Sequence, residues 1–460
     1  MININCNDEK LKKLIWDFVI FKFPQNYNIG EIFLNIFINN NICNLELSFN
    51  EEKNSFNIRF SDKDDLIKSI KRFLLNFFDD KLDLDKSFGI LNGVRPLKLF
   101  RKIRQVNTLE NTKKILKDRY LLAKEEIELL STIYNNQKNI VDKCFYRNYS
   151  IYIHIPFCPS ICSYCSFDTM LYNEEKVIIY LKTLLKELKE ISIYYDKPPN
   201  TIYIGGGTPS VISINDLEKI IDTILKYYGS PNEFTVECGR VDTFSLKLLK
   251  MLKEKSVTRI SINPQSFNEK IVMSLNRNCS NFLKWFEKTK EMNFDTINMD
   301  LILGLPGESR ESIINSIDIA KNLGPENITI HTLALKKGSD LFNKNYINDN
   351  DYGDILKYSK DLMQDVGYKP YYIYRQKRMA KSGENIGYAK EGHLCLYNIL
   401  VMEETEDILG FGLGASTKIL NKTLKFKRSF NYKNLNDYVN RINDIIIKKS
   451  QLIEKKEDIF

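Results

Sequence analysis

A chain of 460 residues with 43% apolar and 27% charged side chains has apolar mass for two or three domains, which excludes a disordered or fibrous protein. Lys and Arg (67) exceed Asp and Glu (59), but the cations are interleaved with acids, which argues against a nucleic-acid surface and leaves room for a small polyanionic ligand. No run approaches the roughly eighteen apolar residues of a membrane span, the N-terminus lacks the apolar core of a signal peptide, and Cys6, Cys43, Cys144, Cys238, Cys279 and Cys395 are too scattered for a disulfide framework, so a cytoplasmic protein with buried thiols is expected.

Residues 1–148 read as a separate α+β module of undefined role. LKKLIWDFVIFKF has helical spacing, while Asn44–Phe49 and Ser55–Phe60 alternate with period two and predict a hairpin. Asp62 or Asp64 is placed to cap LIKSIKRFLLNFF, a Gly/Pro-punctuated loop covers Phe88–Leu99, and one long amphipathic stretch is expected from about Asn111 to Asn136.

From Tyr149 the rhythm becomes strand, loop, helix. The strand-like runs are Ser150–Ile155, Thr201–Ile204, Glu233–Glu237, Thr258–Asn263, Thr296–Leu303 and Asn327–Thr332, with helical patterns between them that open on Asn173, Ser213, Thr243, Ser280 or Asn281, and Glu308. Six βα units predict an α/β core over 149–340, a parallel sheet curved into a partial (β/α)6 barrel whose chemistry gathers at the carboxyl ends of the strands. Residues 341–460 form a C-terminal, substrate-side extension that contains the cationic aromatic run Tyr371–Met379 and a final amphipathic helix.

The loop after the first barrel strand carries Cys158, Cys162 and Cys165 in a C-x-x-x-C-x-x-C spacing. Three thiolates with no fourth nearby suit three irons of a [4Fe–4S] cluster and leave one iron open to a ligand that is not protein. A zinc site would bring a fourth Cys or His at short spacing, and three reduced core thiols so close together would be a coincidence. Gly205-Gly-Gly-Thr-Pro209 lets backbone approach a ligand, and it lacks the Lys-Ser/Thr of a phosphate loop. Glu237 ends a strand, where a carboxylate either accepts from ribose hydroxyls or serves as a cap or ion pair. Asp300 sits among Met299, Leu301 and Ile302, so its charge needs a partner. Tyr152 reads equally as a core aromatic, and His154 alone as a satisfied structural residue. The set Tyr371, Tyr372, Tyr374, Arg375, Lys377 and Arg378 suits either a flat polycarboxylate or an ordinary solvated surface.

The cysteine stretch resembles the signature of the radical S-adenosylmethionine (SAM) superfamily. With Tyr152, His154 and Ile155-Pro-Phe157 it is similar to the oxygen-independent coproporphyrinogen III oxidase-like family, in the branch with an added N-terminal domain. That resemblance spans Tyr149 to Thr417, including Tyr371–Lys377 and Glu384–Tyr388, with Gly93–Pro96 in addition. It implies a cluster on Cys158, Cys162 and Cys165 that holds SAM at its open iron. Tyr152 would lie near the SAM sulfonium and His154 near the cluster. Gly205, Gly206, Gly207 and Thr208 would receive the SAM amino group, Glu237 the ribose and Arg277 the SAM carboxylate, and Gln265 and Asp300 match further family positions. The implied reaction converts propionates of coproporphyrinogen III to vinyl groups, with an external one-electron donor of the flavodoxin or ferredoxin type. Phe167 stands where well-characterised oxidases carry a further cysteine, which the family's haem chaperones also lack. A haem-binding chaperone and a radical SAM enzyme acting on haem are therefore the alternatives.

Overall fold

The computed structural model describes residues 2–22, 32–50, 52–82, 84–143, 148–348, 350–421 and 425–457. Cys144 lies outside the described residues. The N-terminal module is a four-stranded sheet in the order β1 (Ile2–Cys6), β2 (Ile32–Asn39), β3 (Ile42–Phe49), β4 (Glu52–Arg59). The expected hairpin is β3–β4, antiparallel from Ile42↔Arg59 to Phe49↔Glu52. In β2 and β3 alternate residues Leu34, Ile36, Leu45 and Leu47 are buried against the helices Glu9–Lys22 and Lys63–Phe77, as a half-covered sheet requires. Asp62 caps the second of these helices, its side chain accepting from the Asp65 amide.

The single long helix expected near Asn111–Asn136 is two, Leu109–Tyr120 and Lys124–Val141. Leu121 turns left-handed at φ +58°, and the chain reverses there because the Leu121 and Leu122 amides bond back to the carbonyls of Lys117 and Leu116. Periodicity alone does not register one reversed residue between two amphipathic runs.

The core is one sheet of eleven strands among the described residues. β5 (Tyr149–Ile155) enters the cysteine loop through the two-residue strands β6 (Phe157–Cys158) and β7 (Met170–Leu171). Then come β8 (Thr201–Gly206), β9 (Glu233–Gly239), β10 (Arg259–Ile262), β11 (Thr296–Leu303) and β12 (Asn327–Thr332). The six strands β5, β8, β9, β10, β11 and β12 pair in chain order and all in parallel. Asn173, Ser213, Ser245 and Ser309 cap the helices between them, each accepting an amide of the first turn. Capping thus falls on Ser245, two residues beyond the expected Thr243, and the helix expected from Glu308 opens at Arg310 behind its cap Ser309.

The extension adds β13 (Lys369–Tyr374), β14 (Asn385–Ala389), β15 (Asp407–Phe411), β16 (Ser416–Leu420) and β17 (Phe426–Phe430) to the same sheet. β15 lies parallel to β5 at one side, and β14 antiparallel to β12 at the other. Because β13 is antiparallel to β14, it runs in the direction of β12, and Tyr374 ends at the same end of the sheet as Thr332.

Each barrel strand alternates. Ile151, Ile153, Ile155, Ile202, Ile204, Val236, Ile260, Met299, Leu301, Ile328 and Ile330 join the helices in one apolar core. The opposite face carries Tyr152 beside Tyr203, Tyr203 beside Thr235, Ser261 beside Asn298, and Asp300 beside Thr329. A parallel sheet packed on both faces normally reads as an unbroken apolar run, so this polar face marks an interior built for a ligand.

The run Tyr371–Arg378 divides between two surroundings. Tyr371 and Tyr372 are buried in β13, and Arg375 and Lys377 point into the N-terminal module. Arg375 donates to Asp85 at 2.7 Å, its guanidinium lying over the Phe21 and Phe88 rings, while Lys377 donates to Asp17 at 2.7 Å. Burial pushes the Asp85 carboxyl up, but Lys22, Arg375 and Ser87 outweigh it and hold the group far below the usual carboxylate range. A depressed acid stabilises the fold above its unfolded pKa, and that contribution is lost as pH falls toward the folded one. Asp85→Asn, which strands Lys22 and Arg375, should cost about 3–5 kcal/mol near neutral pH. In thermal melts, its deficit relative to wild type should hold from about pH 7 to about pH 4 and shrink below that.

Candidate active site

The cysteine loop is fastened at both ends. β6 and β7 pair in parallel, the Met170 amide donating to Pro156 O at 2.7 Å and the Tyr172 amide to Cys158 O at 2.9 Å. Between these clamps Ser160 Oγ donates to Asn276 O, the Ser163 amide to Leu275 O, and the Leu341 amide to Ser163 O. The loop is therefore held by the segments that follow β10 and β12, and Cys158 and Cys162 are each 8% exposed. Burial pushes the Cys158 thiol up to about 11 and also raises Cys165, so ionisation at neutral pH requires a bound cation. Arg240 donates to Ser160 O at 3.0 Å and lies 3.6 Å from Cys162 Sγ, with Arg277 at 4.0 Å from the same sulfur. Among the described residues no three His, Cys, Asp or Glu side chains converge as ligands of a single metal ion would.

The glycines of Gly205–Gly207 fit closely against this loop. A Cβ on Gly207 would meet Phe157 O at 2.6 Å and Cys158 Sγ at 3.0 Å, and one on Gly206 would meet His154 Cδ2 at 2.0 Å. Gly206 also has φ +108°, a backbone that L side chains rarely adopt. The Gly207 and Thr208 amides donate to Ile155 O and Phe157 O, and Thr208 Oγ1 reaches Cys158 Sγ at 3.5 Å. His154 is wedged behind, its Nδ1 on Leu413 O at 2.5 Å, and burial lowers its pKa.

Across the polar face stand Glu237, Asp300 and Gln265. Burial, then repulsion from Asp300, push the Glu237 carboxyl up to about 7, although the Tyr203 hydroxyl donates to it at 3.0 Å. Burial works the same way on Asp300, but His331, Asn298 and Thr329 outweigh it and hold that acid below its usual range. The environment thus separates two carboxylates of one wall, as a site with distinct roles for each would need. Gln265 is left-handed at φ +66°, pinned between the Asp300 carbonyl (3.0 Å) and the Ile302 amide (2.8 Å). Such backbone strain, on the order of 1–3 kcal/mol, persists where the surroundings impose it. Arg277 is fixed by the carbonyls of Gly239 (2.8 Å) and Asn263.

Every residue expected at the site lies on this face or in the loops at its carboxyl end. Sequence reasoning missed Arg240, Tyr203, His331, Lys336 and Tyr397. Arg240 was visible as a member of the loop after β9, and His331 as a polar residue near the end of a barrel strand. Lys336 follows β12 and faces Cys165, whose sulfur offsets part of the lowering that burial imposes on its ammonium. Tyr397 carries no local signal. It enters from the amino end of the sheet, where Glu233 accepts the Leu396 and Tyr397 amides at 3.0 Å, and its ring stacks 4.5 Å from Tyr203.

Residues 152–320 match the family model described as the radical SAM superfamily. The chain is 32% identical over 406 residues to the oxygen-independent coproporphyrinogen-III oxidase-like protein HemZ of Bacillus subtilis (strain 168), spanning 84% of this chain and 81% of that one. The chain belongs to the radical SAM oxygen-independent coproporphyrinogen-III oxidase-like family. Heme chaperone HemW of Lactococcus lactis subsp. lactis (strain IL1403) is 28% identical over 326 residues, 67% of this chain and 79% of that one. In fold, it is similar to the Escherichia coli coproporphyrinogen III oxidase HemN, a radical SAM enzyme (TM-score 0.53, 19% identity, 66% of this chain and 71% of that one).

The cofactors of this radical SAM family are a [4Fe–4S] cluster and S-adenosylmethionine. The residues present fit them on three counts. Three soft thiol donors share one clamped loop. The absence of side chains at Gly206 and Gly207 lets that backbone pack directly on the cysteine loop and His154, where a Cβ would collide. Tyr164 Oη, Gln265 Oε1 and Arg277 Nε are buried without a partner, an arrangement that costs about 1–3 kcal/mol per group unless a ligand supplies the bond. Gly206→Ala should therefore weaken SAM binding at least tenfold, about 1.4 kcal/mol, in anaerobic equilibrium dialysis. Gly93→Ala, where a Cβ meets nothing within 4 Å, should leave it unchanged.

Proposed function

We propose that this radical SAM protein is a coproporphyrinogen dehydrogenase of anaerobic haem biosynthesis, working in the cytoplasm. Two propionate side chains of coproporphyrinogen III would each lose a hydrogen atom, carbon dioxide and one electron, the electron passing to an external acceptor, to give the two vinyl groups of protoporphyrinogen IX. When bound, the cluster and SAM supply a carbon radical able to abstract the hydrogen atom, fed by a flavodoxin- or ferredoxin-type donor.

The chain's part is binding, orientation and exclusion of water. Cys158, Cys162 and Cys165 hold the cluster, with Arg240 and Arg277 offsetting thiolate charge at Cys162. Gly205, Gly206, Gly207 and Thr208 receive the SAM amino group on backbone, and Arg277 takes its carboxylate. Glu237, Gln265 and Asp300 accept and donate around its ribose, Tyr152 lies against the sulfonium, and His154 supports the cluster loop. The parallel rings of Tyr372 and Tyr374, 6.1 Å apart and 9° from coplanar, belong to the wall that faces the macrocycle.

The observation that carries this reading is the match to an oxidase-like protein across 84% of the chain. A second reading, haem binding without turnover, is favoured by the likeness to a heme chaperone and by Phe167, which is 68% exposed beside the cysteines where oxidases place a fourth. Anaerobic incubation of the reconstituted protein with SAM, a reductant and coproporphyrinogen III, followed by mass analysis, decides between them. Loss of one and then two carbon dioxide equivalents is expected. Stoichiometric haem retention with no vinyl product would replace this function with the chaperone.

A further inference from the structure

One chain of polar side chains on the interior face crosses from the SAM-side strand to the extension, and neither the cofactor contacts nor the cluster loop uses all of it. Asn298 on β11 donates to Asp300 Oδ1 at 3.0 Å, and the same oxygen faces His331 Nε2 on β12 across 3.8 Å. On its other side His331 Nδ1 meets Tyr374 Oη on β13 at 3.2 Å and Asn385 Oδ1 on β14 at 3.3 Å. Asn385 Nδ2 donates to Tyr374 O at 3.1 Å, which orients that amide so that its oxygen, an acceptor, faces the imidazole. Nδ1 then donates to that oxygen, and the ring holds the Asp300 carboxylate when Nε2 carries a proton as well. The side chains of His331 and Asp300 are 23% and 18% exposed although both lie within the sheet, so they border internal space rather than packed core.

Two features make this chain more than packing. The gap of 3.8 Å between Nε2 and Asp300 exceeds hydrogen-bond length, so a small movement of Tyr374 or of the imidazole changes how strongly Asp300 is held. β13 and β14 continue into Arg375 and Glu384, and Gln376, the residue after Arg375, keeps a buried carbonyl oxygen without a partner. β13 thus reaches Asp300 by two routes, directly through the His331 imidazole and, at longer range, through Tyr372 on Thr329 (3.5 Å).

We infer that His331 is a positioning residue that links the two ligands: a tetrapyrrole settling against Tyr374 fixes the imidazole, which fixes Asp300 for SAM. The inference rests on the tetrapyrrole reading above for the identity of the second ligand. Linkage is reciprocal, so SAM and tetrapyrrole must tighten one another by the same factor.

The test is SAM binding to the cluster-loaded protein by anaerobic equilibrium dialysis, with and without coproporphyrin III, the oxidised analogue that does not react. In wild type the tetrapyrrole should tighten SAM about fivefold or more, the usual scale of coupling between two sites. His331→Leu should bring that ratio to about one while iron content stays at the wild-type level, and His331→Gln, which can span the same contacts, should restore part of it. Tyr374→Phe removes a single oxygen, keeps the ring, and should also abolish most of the ratio, so the test does not depend on the leucine variant folding. A wild-type ratio near one, or wild-type ratios in both His331→Leu and Tyr374→Phe, would overturn the inference. Vinyl formation is read separately on wild type: linkage without vinyl product overturns the dehydrogenase and supports the linkage with a tetrapyrrole ligand.

Discussion

The structure turns on a parallel sheet that is apolar on one face and polar on the other. Burying Tyr203, Glu237, Asn298, Asp300 and His331 inside a sheet is unfavourable unless each finds a partner. They do so across strands, Tyr203 to Glu237, His331 to Asp300 and Tyr374 to His331, and along β11, Asn298 to Asp300. Thr235 Oγ1 on this face stays without a partner, as do Gln265 Oε1 and Arg277 Nε, which lie where SAM is expected. The cost of a polar interior is thus offset in part by internal bonds and in part left for the ligand.

The same constraint explains the cysteine loop. Burial raises the Cys158 and Cys165 thiols, so bound iron favours the charge-bearing form of the loop, and the loop must be held in the absence of that charge. The β6–β7 pair and the bonds at Ser160 and Ser163 do this from neighbouring segments, while the closeness of Gly206 and Gly207 leaves the loop no side chain to lean against. Beyond the barrel, Arg375 ties β13 to the N-terminal module through Asp85, so the module braces the strand that carries Tyr374. That gives the N-terminal sheet and its two helices a mechanical part.

The six βα units, their order and the cysteine loop were legible because period-two runs, N-caps and thiol spacing are local signals. The break at Leu121 was not, because one left-handed residue leaves both flanking helices amphipathic. The composition of Tyr371–Arg378 left a macrocycle contact and a solvated surface both open, and the long-range partners were not legible: Tyr371 and Tyr372 are both buried, and the charges after them find Asp85 and Asp17, 290 and 360 residues away in sequence. Tyr397 and Lys336 reach the site only through long-range topology, which no window of sequence contains.

The central claim is that three cysteines leave one iron of the cluster open for SAM. Electron paramagnetic resonance of the dithionite-reduced, reconstituted protein tests it most directly. Addition of SAM should change the g-values of the reduced cluster, and a spectrum unaltered by saturating SAM would contradict the account.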